Sequence, residues 1–143
     1  MTESPLLRRV EETMKAAGIE GALLQGEAVD PEHFGDGEVV LRLGALMLRF
    51  IRDRGEDFLD VGSAAAPDRF HQFDDVEIAM GWRSLDQVLA KKEPAPLTNV
   101  LLRLRERLSE LQSAMSSDQE PFTKARIERA AAERGAAFVA GLR

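Results

Sequence analysis

The sequence predicts an α+β fold: an N-terminal helix, a central antiparallel sheet of three to four strands, and C-terminal helices packed on the sheet. Three observations lead there. Ser4-Pro5 followed by apolar residues at helical spacing opens the chain with a helix. Residues 37–73 carry short alternating apolar runs separated by Gly-containing breaks, the period of strands. From residue 74 onward the apolar spacing is helical again. Strands gathered in one run and helices in others mean α+β. At 143 residues the chain predicts one domain, divided as helix 1–18, sheet 37–73 and helices 74–142.

The first helix is justified residue by residue. Ser4 can accept from a first-turn N–H, and Pro5 at the first helical position loses no hydrogen bond. Leu7, Val10, Met14 and Ala17 form one apolar stripe, and Gly18 suits the position after the helix. Between residues 19 and 37, Ile19, Ala22, Leu23 and Leu24 fit either a short helix or a strand. Asp30-Pro31 and Gly35-Asp36-Gly37 mark turns there, and His33 is expected in an exposed loop.

Val39, Leu41 and Leu43 alternate with Val40 and Arg42. After Gly44-Ala45, a turn or a bulge, Leu46, Leu48 and Phe50 alternate with Met47, Arg49 and Ile51. Both faces of these strands carry apolar residues, which predicts helical cover on both. The polar break Arg52–Asp57 predicts a three-residue hairpin with a bulge at Gly55. Phe58–Val61 and Phe70–Phe73 supply the next strands. Asp57 and Asp60 fall on opposite faces of theirs, so they do not form an acid–base pair.

Asp74 predicts an N-cap for a helix carrying Val76, Ala79 and Met80. Ser84 with Gln87 predicts a capping box, and Pro94-Ala95-Pro96 a stop. Leu97, Leu101, Leu104, Leu108, Leu111 and Met115 repeat at 4-3-4-3-4 spacing, predicting one long helix whose seam packs on the sheet, with a coiled coil as the alternative. A last helix runs from about Pro121 to Leu142, with Phe122, Ile127, Ala131 and Phe138 on its apolar side.

Composition narrows the function. There is no cysteine, which removes thiolate nucleophiles, Cys-based zinc sites and disulfides. No apolar run approaches the roughly 18 residues of a membrane span, and the N-terminus lacks the order of a signal peptide. A cytoplasmic protein with no membrane contact is the expectation. Residues 1–96 hold 11 Lys/Arg and 19 Asp/Glu, a net of −8, while residues 97–143 hold 8 and 6, a net of +2. An acidic body argues against nucleic acid, which is bound through cations; it fits a basic protein partner, and its simpler reading is a charge that keeps a small domain soluble.

No Gly-x-Ser-x-Gly elbow, phosphate loop, dinucleotide fingerprint or His-Glu-x-x-His occurs. No cofactor is expected, and no catalytic or metal-ligating set is assigned. His71 beside Asp74 and Asp75 is the one place where a metal or small-ligand site is conceivable; a histidine at a strand edge beside a helix start is the simpler reading. Trp82, between Gly81 and Arg83, is either a lid on the core or a partly exposed interface anchor.

The segment Val39-Val40-Leu41-Arg42-Leu43, Leu46 to Arg52, Asp53-Arg54-Gly55, Phe58-Leu59-Asp60-Val61-Gly62-Ser63 and Pro67-Asp68-Arg69-Phe70 resembles a loose class of small uncharacterised bacterial proteins. Several of these look like immunity proteins of polymorphic or contact-dependent toxin systems. The resemblance covers about residues 38–80. It implies a cytoplasmic, non-catalytic binder that offers an acidic surface to a basic toxin domain, with Asp57, Asp60, Asp68, Asp74, Asp75 and Glu77 as the patch. Together these readings make the chain a non-enzymatic protein-binding module, an immunity-type inhibitor being one form of it. The alternatives are a small acidic secretion-type chaperone, which would dimerise, and an enzyme or ligand binder around His71. A homodimer is compatible with the first reading as well.

Overall fold

The computed structural model describes residues 4–30, 36–90 and 95–141, and side chains as far as residue 135. Pro31, His33, Gly35, Pro94 and Leu142, each named above, lie outside the described residues. The elements run α1 (Pro5–Ala16), β1 (Leu23–Asp30), β2 (Asp36–Leu43), β3 (Leu46–Asp53), β4 (Glu56–Ser63), β5 (Phe70–Gln72), α2 (Phe73–Ala79), α3 (Leu85–Ala90), α4 (Leu97–Glu106), α5 (Leu108–Met115) and α6 (Glu120–Gly141). The sheet is an antiparallel meander in the order β1-β2-β3-β4-β5.

The sheet thus has five strands rather than three to four, the addition being β1. Its pattern is weak for a physical reason. β1 pairs with β2 but slips register between Leu24 and Gly26, so the apolar alternation is broken in the middle. It is also an edge strand, and Leu23 and Leu24 stay exposed. A strand that buries little needs little apolar sequence.

Register sorts the side chains. Val39, Leu41 and Leu43 lie opposite Phe50, Leu48 and Leu46, which lie opposite Leu59, Val61 and Ser63. These apolar residues are buried with Leu7, Val10 and Met14 of α1, Leu101 and Leu104 of α4, Leu111 and Met115 of α5 and Phe122 of α6 in one core. Each fully buried leucine contributes roughly 1.5–3 kcal/mol. The helices therefore cover one face. On the other, Val40, Ile51 and Phe70 are half-buried and Phe58 is exposed, and none belongs to the core cluster. The expected helical cover on both faces is not found among the described residues. Arg49 supplies part of the cover: its guanidinium lies 4.3 Å from the Phe70 ring centre, and a long stem of this kind shields apolar surface while keeping its charge wet.

The turns refine the hairpins. Leu43 pairs directly with Leu46 across Gly44-Ala45, with Gly44 at φ 61°, so this is a tight two-residue turn. Asp53 pairs with Glu56 across Arg54-Gly55, whose φ values are 52° and 80°. The expected three-residue hairpin is instead a two-residue one with both central residues left-handed, the turn that matches strand twist. The Arg54 N–H is anchored by the Asp36 carboxylate at 3.2 Å.

Helix ends follow their signals with two exceptions. Ser4 Oγ accepts from Leu7 N–H at 3.1 Å. Ser84 and Gln87 close a reciprocal capping box at 2.8 and 3.1 Å. Asp74 is not an N-cap: α2 starts at Phe73 straight out of β5, with Gln72 in the cap position and no side-chain cap bond. Asp74 instead bonds Arg83. The long seam helix is also divided, because Arg107 at φ −117°, ψ 12° separates α4 from α5. The seam still points inward, and Leu101, Leu104 and Leu111 are fully buried.

Candidate functional site

β5 covers only part of β4. It pairs with Asp60, Val61 and Gly62, and among the described residues no strand pairs with the Glu56–Leu59 half of β4 on that side. A cleft of about 640 Å³ opens there, bounded by β3 and β4, the start of α2, and side chains of α4 and α6. Phe58 stands at its mouth, 43% exposed, on the sheet face that the helices leave bare. Asp53, Asp57, Asp60, Asp74 and Glu133 line the walls together with Arg49, Arg103 and Arg129.

Of the acidic residues singled out in the sequence, Asp57, Asp60 and Asp74 meet around this cleft. Each is held by a guanidinium. Asp57 accepts from Arg9 of α1 and from Arg52 at 3.1 Å. That pairing raises the Arg9 pKa, chiefly through the hydrogen bond. Asp60 is buried and accepts from Arg49 at 2.6 Å. Asp74 accepts from Arg83 at 3.2 Å. Charged groups fixed in this way are pre-organised, and part of their charge is offset locally.

Asp75 and Glu77 lie beneath the surface. Asp75 is wholly buried and takes a two-point contact from Arg129 of α6, through Nε to Oδ1 and Nη2 to Oδ2. Glu77 is 2% exposed and takes Arg83 at 3.2 Å and Arg103 at 3.1 Å. The three acidic residues of α2, Asp74, Asp75 and Glu77, reach arginines on α6, α4 and the segment before α3. They tie α2 into the fold, and neither Asp75 nor Glu77 presents a free carboxylate. Asp68 is exposed in the 64–69 connection and is not among the residues lining the cleft. Trp82 is half-buried against the core, and the Arg107 guanidinium lies 5.1 Å from its ring centre; it is not among the residues lining the cleft.

His71 is also interior. It is 8% exposed, its ring is 5.2 Å from that of Phe122, and Nε2 is 2.7 Å from Gln119 Oε1. Gln119 Nε2 donates to the Met115 carbonyl, so Oε1 is the acceptor and His71 Nε2 carries the proton. Among the described residues no group of three or more His, Asp or Glu side chains is placed to hold a metal, and no buried side-chain polar atom lacks a partner.

Phe58, Asp53 and Glu133 were not singled out by the sequence reading. For Phe58 a signal existed: it shares strand parity with Asp60, not with Leu59 and Val61, and so faces away from the core. For Glu133 there was none, since its place beside β4 depends on how α6 docks. Compared with known proteins, the chain matches no family model, no curated protein and no solved structure.

Proposed function

We propose that the chain is a non-enzymatic protein-binding module that receives a basic partner at the cleft beside Phe58. The observation that carries this reading is the exposed Phe58 ring set in a rim of carboxylates. Large aromatic side chains at the centre of a patch supply most of the energy of an interface, and the surrounding charge sets its orientation and on-rate. Five carboxylates and three guanidiniums line the cleft, so its net charge has the sign of the whole chain, −6. Within this class, an immunity-type inhibitor of a toxin domain is the role the resemblance implies, with a cationic toxin surface as the partner.

The test compares affinity purification of the wild-type chain, Phe58→Ser, and Asp53→Arg combined with Asp74→Arg, from the source cells, with mass spectrometry of what is retained. The reading expects one protein held by the wild type and lost by both variants, while their melting temperatures stay within a few degrees of the parent. A partner retained equally by Phe58→Ser sinks the reading.

A further inference from the structure

The far edge of the sheet carries a second surface, built from main-chain groups. Leu43 and Leu46 close a two-residue turn, so they are a hydrogen-bonded pair, and such pairs alternate along the ladder. Leu41, Val39 and Gly37 of β2 therefore bond β3, and Arg42, Val40 and Glu38 bond β1 at Leu23, Gly26 and Ala28. The residues between them on β1, Glu27 and Val29, turn their N–H and C=O groups outward. Among the described residues no hydrogen bond reaches those groups. A free strand edge of this kind is a template for another strand unless Pro, Lys or a bulge blunts it; Leu23–Asp30 contains neither Pro nor Lys, and its register slip, between Leu24 and Gly26, precedes Glu27 and Val29.

The edge adjoins a groove of about 710 Å³ between α1 and the start of β1, floored by Met14, Ile19, Leu23, Leu24 and Leu41. Leu23 and Leu24 are 64% and 48% exposed. The charge around it has one sign in excess: Glu11, Glu12 and Glu20 line the groove against Arg8 and Lys15, and Glu27 stands on the edge strand itself. From Ile19 to Asp30 there are three acidic residues and no basic one. That composition disfavours pairing with a second, identical β1 and favours a cationic strand.

We propose that the β1 edge and the adjoining groove bind an extended, cationic segment of a partner protein by strand addition, with main-chain bonds to Glu27 and Val29 and an apolar side chain over Leu23 and Leu24. This rests on the reading of the chain as a protein-binding module, but not on the Phe58 cleft.

The test is an NMR titration of the full ¹⁵N-labelled chain with a synthetic peptide of alternating Lys and Val. Two control peptides accompany it, one N-methylated on its pairing edge and one with Glu in place of Lys. The expected result is saturable shifts at Glu27 and Val29 and slowed exchange of their amide protons. Binding should weaken about ten-fold for the N-methylated peptide, and weaken for the Glu peptide and for Glu27→Lys. Val29→Pro removes the outward N–H together with a side chain that packs against the core; with its amide spectrum otherwise native, it should reproduce the N-methyl effect. Equal binding of the N-methylated peptide, or no saturable binding, overturns the proposal. Shifts centred on Phe58 and Asp74 overturn it while supporting the cleft. A wild-type dimer in sedimentation that Val29→Pro makes monomeric also overturns it, in favour of a second copy as the occupant.

Discussion

Arg129 of α6 grips Asp75 of α2 at two points, and the pair is almost entirely removed from water: the Asp75 side chain is 1% exposed and that of Arg129 12%. Arg129 also reaches Glu133 one turn along, at 3.0 Å. The contact fixes how the last helix lies against the sheet, and so where Glu133 stands in the cleft.

Breaking that pair from one side should destabilise the fold strongly. Asp75→Ala leaves a buried guanidinium without its main partner, a loss of about 3–5 kcal/mol. Replacing both, as Asp75→Leu with Arg129→Met, should recover most of it, because desolvation of the pair offsets much of its attraction. Urea unfolding of the two variants and the parent measures this. A double variant as unstable as Asp75→Ala would contradict it.

The same pair sets a pH expectation. The Asp75 carboxylate raises the Arg129 pKa above its ordinary value, mainly by the hydrogen bond between them. A raised cation contributes stability that is complete below its unfolded pKa and is lost only as pH climbs through the higher folded value. Both lie beyond the alkaline range in which the chain can be handled. The difference in unfolding free energy between wild type and the Asp75→Leu, Arg129→Met double variant, which removes both groups, should therefore be constant from about pH 7 to 10, which denaturation at several pH values checks.

His71 and Gln119 should behave as a matched buried pair. Gln119→Leu strands the His71 N–H in the interior and should cost about 1–3 kcal/mol. His71→Phe with Gln119→Leu removes donor and acceptor together and should cost less than either single change. Melting temperatures of the three variants give the answer; additive losses would show that the hydrogen bond is not what matters.

Arg54 holds φ 52° in the hairpin turn, a conformation that opposes its side chain. Asn is favoured there, and the Arg54 N–H bond to Asp36 is a main-chain one that Arg54→Asn retains. The variant should gain about 0.5–1 kcal/mol, visible as a higher urea midpoint with an unchanged slope.

Gly62 on β4 answers to space instead. A Cβ there would come within 2.5 Å of the Arg69 carbonyl oxygen. Gly62→Ala must push back the 64–69 connection and should cost about 1–3 kcal/mol. Gly55, with nothing within 4 Å of its Cβ position, is the control: substitution there is resisted by φ alone.

Much of the fold could be read from local rules. Helix α1, the Ser84–Gln87 box and the seam from Leu97 to Met115 each announce themselves within a few residues, because caps and helical periodicity are short-range. The site was less legible. Asp57, Asp60 and Asp74 were named, and they do meet around one cleft. Asp75 and Glu77 were named for the same surface but lie buried beneath it, since sequence spacing gives a helical face and not what covers that face.

By itself the sequence determined the class of fold, its antiparallel core strands, the absence of cysteine chemistry and the sign of the charge, all properties of neighbours or of totals. Tertiary structure alone decided the fifth strand, whose pairing is written in β2 rather than in its own weak pattern. It alone decided that the helices gather on one face, and that arginines from α1, α4 and α6 meet the carboxylates of β4 and α2. Those partners lie 26 to 54 residues apart along the chain. No local preference encodes such a distance; only the packing of the whole core brings the charges together.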